Sequence, residues 1–376
     1  METLIVKIGS RVLTQNDGHL NKEVVIGLVE DISKVKKENE INIALITSGA
    51  VSLGRSMIDL SEFKIDAEAI KYDKSIVKEQ ILAAVGQSGL MKFYTEEFEK
   101  YGIKCAQILA TRSDFADREK YLSLRTVTKN LLKLGVVPIF NENDVLSPEE
   151  LDFSDNDQLA AMIAAMLVAD RLLILTNVDG VYDGSPSDPS SKIIPEIEEP
   201  LNFMKKVDAS VQTGKGGMKS KLITADTITS LGISMTVANG LKRNIVRDIA
   251  ADKKIGTFFP AKSKKVRALK NWLATAAISE GRIIVSTFLA DILRKKIKTA
   301  SILFNGIEKV EGNFSEKEVV EVCDDEGVIL GKGLSKYGAD KLREMVELYR
   351  NKPDKEKREK KSTDIIAIHF DYFVFS

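Results

Sequence analysis

The sequence predicts an α/β protein in which a mainly parallel sheet is covered by helices on both faces. Predicted strands and helices alternate along most of the first 240 residues. The predicted strands are continuous apolar runs rather than runs of alternating polar and apolar residues. Continuous runs indicate strands that are buried on both faces, as in a three-layer αβα sandwich.

The individual elements follow from apolar runs and from helical spacing. In the first helix, Val25, Leu28, Val29, Ile32 and Val35 recur on one side at intervals of three or four residues. Strands are expected at residues 4–8, 41–46, 104–109, 136–140, 171–175 and 234–238. Helices are expected at residues 21–35, 78–98, 121–134, 157–169 and 222–231.

Loops rich in glycine, small hydroxyl residues and Asx residues follow several of these strands. They lie at residues 9–10, 47–49, 141–144 and 176–177. In parallel sheets, ligands bind beyond the carboxyl ends of the strands. The sequence therefore predicts that these loops meet at one rim of the sheet and form the functional site.

The composition changes after Pro260, which indicates a second domain. We predict a first domain at residues 1–260, a polar and basic linker at 261–267, and a small β-rich domain at 268–376. Short β-like runs in the last region are separated by turns, such as the one at Asn305-Gly306. The charged run at 353–361 is interpreted as a solvated loop or a frayed helix.

Charge and cysteine content narrow the class of protein. The 376 residues contain 55 Lys+Arg and 55 Asp+Glu, so the net charge does not indicate a strongly basic nucleic-acid binder or a membrane-surface protein. Cys105 and Cys323 are far apart and outside any C-x-x-C pattern, which favours buried thiols in a reducing cytosol. Neither a secretory signal nor an apolar run of about 18 residues is evident, and we expect a cytoplasmic protein.

A glycine- and lysine-rich stretch at residues 213–221, T-G-K-G-G-M-K-S-K, precedes the predicted helix at 222–231. Glycines allow a tight turn that brings backbone N–H groups near a ligand, and a helix N-terminus favours anions. The lysines add charge that can meet phosphate oxygens. Taken alone, the stretch fits a flexible solvated loop equally well, because isolated glycine-rich patterns are weak signals.

The motifs that are missing from the sequence narrow the chemistry. The sequence contains neither G-x-x-x-x-G-K-[ST] nor G-x-G-x-x-G after a strand. His19 and His369 are isolated, so a metal-binding or general-base role is not expected for them. Phosphoryl transfer depends mainly on positioning and charge stabilisation. A carboxylate acceptor is already ionised at neutral pH and needs no general base.

Lys7, Asp157 and Lys221 are the candidate charged residues of such a site. Asp157 could hold both lysines in place, and two lysines beside a phosphoryl group could supply most of the charge stabilisation. Two alternatives remain at this point. Lys7 could extend to solvent from the strand end, and Asp157 could simply be a carboxylate that is favoured by a helix dipole.

Several segments together resemble the amino acid kinase family and, within it, the glutamate 5-kinases. In the first region they are V-K-I-G-S at 6–10, T-S-G-A at 47–50, L-A-A-V-G-Q at 82–87, N-E-N-D at 141–144, D-N-D-Q-L at 155–159, T-N-V-D-G-V-Y at 176–182 and K-G-G-M-K-S-K at 215–221. The last region resembles a PUA domain through E-G-R-I-I-V, V-E-G-N-F at 310–314, G-L-S-K-Y at 333–337 and I-H-F-D at 368–371.

The resemblance implies the amino acid kinase fold and the ATP-dependent phosphorylation of the side-chain carboxylate of L-glutamate. The product would be L-glutamyl 5-phosphate, in the first step of proline biosynthesis, and Mg²⁺ would be bound to the ATP phosphates. The implied catalytic residues are Lys7, Asp157 and Lys221, and the implied glutamate-binding residues are Ser48, Gly49, Asp144 and Asn156. The implied ATP-binding residues are Lys7, Thr176, Asn177, Lys215, Gly216, Gly217, Met218, Lys219, Ser220 and Lys221.

The resemblance also implies feedback inhibition by proline and a homo-oligomer, either a dimer or a tetramer. Two departures affect the ATP site: Lys215 stands where the family usually has Thr, and Asn177 stands where Asp is common. The alternatives are an acetylglutamate- or nucleotide-monophosphate-type kinase, and an RNA-binding PUA protein. The RNA alternative has little support, because residues 268–376 carry 19 Lys+Arg and 18 Asp+Glu.

Overall fold

A computed structural model describes residues 1–15, 18–61, 74–146, 156–207, 217–262, 265, 268–295, 301–351 and 365–375. The chain forms two compact units, Met1–Val266 and Arg267–Ser376. Each unit has its own sheet and its own buried core. The two units are therefore described separately.

The first unit is built on a seven-stranded sheet. Its strands are β1 (Thr3–Ile8), β2 (Asn42–Ile46), β3 (Cys105–Ala110), β4 (Val137–Glu142), β5 (Arg171–Thr176), β6 (Ser234–Asn239) and β7 (Thr257–Phe259). Their order in the sheet is β3-β4-β2-β1-β5-β6-β7. Neighbouring strands are parallel except for β7, which runs antiparallel to β6. The predicted, mainly parallel sheet is confirmed.

Strand β1 explains why the strands are continuous apolar runs. Leu4, Val6 and Ile8 are buried in the core on one face of the sheet. Ile5 and Lys7 alternate with them, so they point to the opposite face, and both are buried there as well. Both faces of the strand are covered, and Lys7 therefore carries its ammonium group into the interior of the unit.

Helices cover both faces of the sheet. They are α1 (Ser10–Leu13), α2 (Lys22–Glu38), α3 (Ala50–Met57), α4 (Lys74–Glu99), α5 (Arg112–Ala116), α6 (Arg118–Lys133), α7 (Asn156–Leu167), α8 (Pro200–Val207), α9 (Met218–Ser230) and α10 (Ile245–Ala250). Helices α2, α4 and α10 share one core cluster with β1. Helices α6, α7 and α9 pack against the sheet on the face to which Lys7 points. The predicted three-layer sandwich is confirmed.

The structure of the first unit differs from the predicted elements in where some helices begin and in several elements that were not predicted. Helix α9 begins at Met218, directly after Gly217, and not at residue 222 as the apolar run suggested. Helices α1, α3, α5, α8 and α10 and strand β7 were not predicted. The α3 sequence, A-V-S-L-G-R-S-M, contains a glycine, two serines and a valine, which have low helix propensity. Packing against α4 stabilises α3 despite this low helix propensity.

Two glycines allow α3 and α4 to cross with their backbones in contact. A Cβ atom on Gly86 would lie 1.9 Å from the carbonyl oxygen of Ala50, and one on Gly54 would lie 2.0 Å from that of Leu82. Both contacts are with backbone atoms, which cannot rotate away as a side chain can. The glycine of the L-A-A-V-G-Q segment is thus required by the crossing of two helices.

We expect Gly86→Ala to destabilise the first unit by about 1–3 kcal/mol, because the added methyl group forces α3 away from α4. Urea unfolding followed by circular dichroism measures this change. Gly27→Ala is the matched control, since a Cβ at Gly27 in α2 meets nothing within 4 Å. Its expected effect is a gain of up to about 1 kcal/mol from helix propensity. Equal stability of Gly86→Ala and the wild type would contradict the crossing argument.

The second unit is rich in β-strands, as predicted. Its strands are β8 (Gly281–Val285), β9 (Ile302–Leu303), β10 (Ile307–Gly312), β11 (Val319–Cys323), β12 (Ile329–Leu334), β13 (Ile366–Ile368) and β14 (Phe373–Phe375). Five of them form a sheet in the order β10-β8-β11-β12-β14, and β13 pairs with β9. The unit also contains three helices that were not predicted: α11 (Ala268–Thr275), α12 (Thr287–Arg294) and α13 (Ala339–Arg350).

Two lysines of the expected linker pair with residues of the first unit. Lys262 contacts Glu199 and Asp226, and Lys265 contacts Asp170. The charged run at 353–361 lies outside the described residues. Within the described part of the chain, no helix has the length and apolar character that a membrane span requires.

Candidate active site

Lys7, Asp157 and Lys221 meet in one buried cluster, although 214 positions separate the first from the last. The Lys7 Nζ atom lies 2.7 Å from Asp157 Oδ1, and the Lys221 Nζ atom lies 2.9 Å from Asp157 Oδ2. Asp157 has no exposed surface, and Lys7 and Lys221 are 4% and 6% exposed. Each carboxylate oxygen of Asp157 therefore faces a different ammonium group.

The cluster carries an excess of positive charge. Burial by itself favours the protonated acid, but the charges and hydrogen bonds of Lys7 and Lys221 outweigh it and lower the pKa of Asp157. With Asp157 ionised, two positive charges face one negative charge, so the three side chains carry a net +1. Such a cluster can attract an anion to the rim of the sheet.

Strand β1 and helix α9 bring the two lysines to the cluster from different sides. The backbone of Gly9, just after β1, donates to the carbonyl oxygen of Leu175 in β5 at 2.9 Å. A Cβ on Gly9 would lie 3.0 Å from that oxygen and 3.9 Å from Lys7 Nζ. Gly9 therefore allows the backbone after β1 to approach the end of β5 closely, beside the Lys7 ammonium group. Lys221 lies in the first turn of α9.

The first two residues of α7 join two groups of side chains. Asp157 holds the lysines, whereas the amide nitrogen of Asn156 donates to the carbonyl oxygen of Thr47 at 2.8 Å and to Ser48 Oγ at 2.7 Å. Strand β2 ends just before Thr47, and Gly49 follows at φ 98°, a left-handed conformation that favours glycine. The predicted residues Ser48 and Asn156 are thus in direct contact, one residue away from the lysine cluster.

Two side chains that sequence reasoning assigned no role extend this network. Asn141, at the end of β4, lies with its oxygen 3.4 Å from the Asn156 amide nitrogen. The Asn141 amide nitrogen donates to Gln87 Oε1 of α4 at 2.9 Å. The sequence indicated a role for Gln87 and Asn141 only through their places in L-A-A-V-G-Q and N-E-N-D, two segments that resemble the family.

Tyr94 of α4 supports the loop after β2 from below. Its hydroxyl group lies 2.9 Å from Thr47 Oγ1, and Thr47 Oγ1 donates to the carbonyl oxygen of Ser48 at 3.1 Å. Since a threonine hydroxyl has one hydrogen, Tyr94 is the donor of the first bond. Burial raises the pKa of Tyr94 and keeps that hydrogen in place.

Asp144 follows β4, which is the neighbour of β2 in the sheet. Burial raises the pKa of Asp144 to about 6, and the charge of Glu79 in α4 contributes to the increase. Gln80, next to Glu79, donates to the carbonyl oxygen of Val145 at 3.0 Å. Helix α4 therefore contacts the loop that carries Asp144 and, through Glu79, adds to the increase in the pKa of Asp144.

Thr176 is the last residue of strand β5, which lies beside β1 in the sheet, and Asn177 follows it. Thr176 is half-buried and Asn177 is exposed. The carbonyl oxygen of Thr176 accepts from the backbone of Gly240 at 2.8 Å. Near the same strand ends, Asp179 accepts from Asn239 at 2.9 Å and pairs with Lys242 at 2.8 Å; neither of these partners was predicted.

The described part of the glycine- and lysine-rich stretch is the start of α9. Gly217 is the N-cap, and Met218, Lys219 and Ser220 precede Lys221 in the first turn. Lys219 is exposed, in contrast to Lys221. Lys215 and Gly216 lie outside the described residues.

The comparisons with known proteins agree with this geometry. The model of the Amino acid kinase family matches residues 2–239, which contain the whole cluster. The chain belongs to the amino acid kinase family. The model of the PUA domain matches residues 281–356, so the second unit of this family member carries a PUA domain.

Relatives of this amino acid kinase share its full length. A protein named Glutamate 5-kinase from Bacteroides thetaiotaomicron is 36% identical over 373 residues, which cover 98% of this chain and 97% of the relative. A Glutamate 5-kinase from Bacillus cereus is 37% identical, with 92% of each chain covered. Among solved structures, UMP kinase from Bacillus anthracis has a TM-score of 0.47 at 15% identity, covering 70% of this chain and 96% of that one.

Proposed function

We propose that the chain transfers the γ-phosphoryl group of ATP to the side-chain carboxylate of L-glutamate, forming L-glutamyl 5-phosphate in the first step of proline biosynthesis. The observation that carries the proposal is the position of Asn156 and Asp157. These adjacent residues connect a polar pocket rim at Ser48 to the buried pair of lysines. The relatives named Glutamate 5-kinase, similar over nearly the whole chain, supply the identity of the acceptor.

The residues of the cluster suit this reaction. A carboxylate oxygen of glutamate attacks the γ-phosphorus, the bond from that phosphorus to the oxygen bridging it to the β-phosphate breaks, and ADP leaves with the electron pair. Glutamate is ionised at neutral pH, so no proton has to be removed from it. Lys7 and Lys221 stabilise the negative charge on the transferred group. Asp157 keeps the two ammonium groups in place.

The glutamate end of the site consists of Ser48, Gly49, Asp144 and Asn156. The carboxylate of Asp144 attracts the α-ammonium group of the substrate. The positive φ of Gly49 turns the chain between the Ser48 side chain and the first backbone N–H groups of α3. These groups would orient the substrate so that its side-chain carboxylate approaches the lysines.

The nucleotide end of the site consists of Thr176, Asn177 and the start of α9, together with Lys215 and Gly216. The Lys7 ammonium group beside Gly9, which has no side chain, and the helix N-terminus at Gly217 fit a chain of phosphates. Among the described residues, no three His, Cys, Asp or Glu side chains form a metal-binding group. As the family resemblance implies, phosphate oxygens of ATP would hold Mg²⁺, which supplies charge neutralisation when it is bound.

Acyl phosphate formation tests the proposed function. Purified protein is incubated with glutamate, Mg-ATP and hydroxylamine, which traps glutamyl phosphate as the hydroxamate. We expect hydroxamate with L-glutamate, and no comparable turnover with N-acetylglutamate or UMP. Turnover with one of these acceptors in place of glutamate would overturn the proposal in favour of another kinase of the family.

We expect the apparent affinity for glutamate to fall as the pH drops below about 6, because Asp144 becomes protonated and loses its attraction for the ammonium group. The raised pKa also means that the folded state binds the proton more tightly than the unfolded state. The stability from this group is therefore present at acidic pH and is lost as the pH rises through about 6. A profile of kcat/KM for glutamate between about pH 5 and 8 measures the effect.

Glu79→Gln is the informative companion variant for this profile. Removing the negative charge of Glu79 should move the inflection to lower pH, since that charge helps to raise the pKa of Asp144. Asp144→Asn should remove the inflection and raise KM for glutamate. An inflection near pH 6 that persists in Asp144→Asn would assign the titration to another group.

Inhibition by proline, assembly into a homo-oligomer and a cytoplasmic location belong to the same proposal and rest on the family resemblance. Hydroxamate formation with and without proline tests the inhibition. Light scattering of the purified protein tests the assembly, and a monomer at working concentration would refute it. Fractionation of cells tests the location.

A further inference from the structure

Helix α4 carries two buried polar side chains on one face, seven residues apart. Gln87 is 9% exposed and Tyr94 is fully buried. Residues at this spacing lie two helical turns apart on the same side of a helix. Tyr94 supports Thr47, so its role in the loop after β2 is clear. Gln87 is the last residue in a row of three contacting side-chain amides, Asn156, Asn141 and Gln87, and the orientation of these amides indicates its role.

The direction of that network is set by a backbone carbonyl. The Asn156 side-chain atom that lies 2.8 Å from the Thr47 carbonyl oxygen must be the nitrogen, because a carbonyl only accepts. The neighbouring atom of Asn141, at 3.4 Å, must then be its oxygen, since two N–H groups would repel each other. The Asn141 nitrogen consequently points to Gln87 and donates to its Oε1 atom at 2.9 Å.

This direction leaves Gln87 with an unused donor. Its Nε2 atom is buried and has no hydrogen-bond partner among the described residues. Flipping the amides of Gln87 and Asn141 together would give this nitrogen an acceptor, but it would place the N–H groups of Asn141 and Asn156 against each other. A buried donor without a partner costs free energy. This cost falls on Gln87 Nε2, because the opposite orientation would place the N–H groups of Asn141 and Asn156 against each other.

The orientation of the Asn156 amide determines which of its atoms can contact a ligand. Its amide nitrogen has two hydrogens, and Thr47 and Ser48 accept them. Asn156 can therefore present only its Oδ1 atom, an acceptor, to a bound molecule. An acceptor suits an ammonium group and does not suit an oxygen of a carboxylate.

We infer that Gln87 is a positioning residue of the amino-acid subsite, which holds the amide of Asn141 in place beside the Asn156 amide that the Thr47 carbonyl oxygen orients. With this network in place, the Asn156 oxygen faces the ammonium group of the substrate. The inference rests on the proposed function. It assigns a role to a side chain that has no contact with either of the reacting groups.

Gln87→Met tests the inference, because methionine has nearly the same length and lacks both the acceptor and the unused donor. We expect KM for glutamate to rise at least about tenfold, while kcat and KM for ATP change less than about twofold, because only the amino-acid subsite is affected. The melting temperature should stay the same or rise, because the unpaired donor is gone. Gln107→Met, the same change at an exposed position of β3, is the control and should alter none of these quantities.

A double-mutant cycle with Asn141→Asp separates positioning from a general structural role. A carboxylate has two equivalent oxygens, so Asp at position 141 can accept from Asn156 without being oriented by Gln87. In that background, Gln87→Met should change KM for glutamate by less than about twofold. The same tenfold change in both backgrounds would show that Gln87 does not act through Asn141 and would overturn the inference.

Ligand-induced stabilisation provides a readout that does not need turnover. In Gln87→Met, the rise in melting temperature on adding glutamate should be lost, whereas the rise on adding ATP should remain. An unfolded or strongly destabilised Gln87→Met protein would refute the expected gain in stability and would make Gln87 a structural residue. If glutamate raises the melting temperature of the wild-type protein and of Gln87→Met equally, the inference about Gln87 is wrong but the proposed function stands. If the wild-type protein forms no hydroxamate from glutamate, both the inference and the proposed function are wrong.

Discussion

Lys221→Ala is expected to lower kcat by about 10²–10³-fold, because it removes a charge that is needed mainly when the phosphoryl group moves. The Lys221 ammonium group is buried and held 2.9 Å from Asp157, so it needs no reorganisation when charge develops. Removing such a group should reduce kcat and kcat/KM for glutamate together. The measurement is steady-state hydroxamate formation at saturating ATP and glutamate.

Lys219→Ala is the informative comparison, since Lys219 lies two residues earlier in the same helical turn and is exposed. We expect a smaller loss, mostly as an increase in KM for ATP, because a solvated charge is screened and flexible. A larger loss of kcat in Lys219→Ala than in Lys221→Ala would reverse the roles of the two lysines. The same reversal would follow if Lys215→Ala alone had the large effect.

Asp157→Asn is expected to lower the free energy of unfolding by about 3–5 kcal/mol, as measured for buried ion pairs that lose one partner. The substitution keeps the shape of the side chain but removes the negative charge between two buried ammonium groups. The repulsion between Lys7 and Lys221 is then no longer offset. Activity should fall as well, since the lysines lose the group that positions them. Urea unfolding and the hydroxamate assay measure the two effects.

Asp252→Asn is the matched control for stability. Asp252 pairs with Arg171 at 2.7 Å, but its side chain is 79% exposed, so we expect a loss below about 1 kcal/mol. Equal losses in the two variants would mean that the buried cluster contributes no more than a surface ion pair. The pKa of Asp157 is lowered from 3.8, so its contribution to stability is present above about pH 4 and is lost as the pH falls further.

Much of the fold could be predicted because it follows from local patterns. The continuous apolar runs of β1, β2 and β5 indicated a doubly covered parallel sheet, and the structure has one. Helix α3 could not be predicted, since it depends on contacts between Gly54, Gly86 and the opposing backbone. Propensity describes single residues and short windows, whereas this helix is stabilised by its neighbour.

Some residues of the candidate site could be predicted from the sequence, and others could not. Lys7 could be selected because it lies near the carboxyl end of a predicted parallel strand, where ligands bind. Ser48 and Asn156 could be selected because they lie in segments that resemble the family. Gln87 and Tyr94 could not, because a polar side chain within a long helix is equally compatible with an exposed position. Only the packing of α4 beneath the loops after β2 and β4 turns these two side chains toward Thr47 and Asn141.

The sequence by itself determined the class of fold and the types of residue available at the carboxyl ends of the strands, because strand and helix periods are local properties of the chain. The tertiary structure decided which residues meet. It placed Lys221 rather than the exposed Lys219 against Asp157, and it oriented the amides from Asn156 to Gln87. Distances between atoms that are far apart in sequence depend on how sheets and helices pack, and no local pattern encodes them.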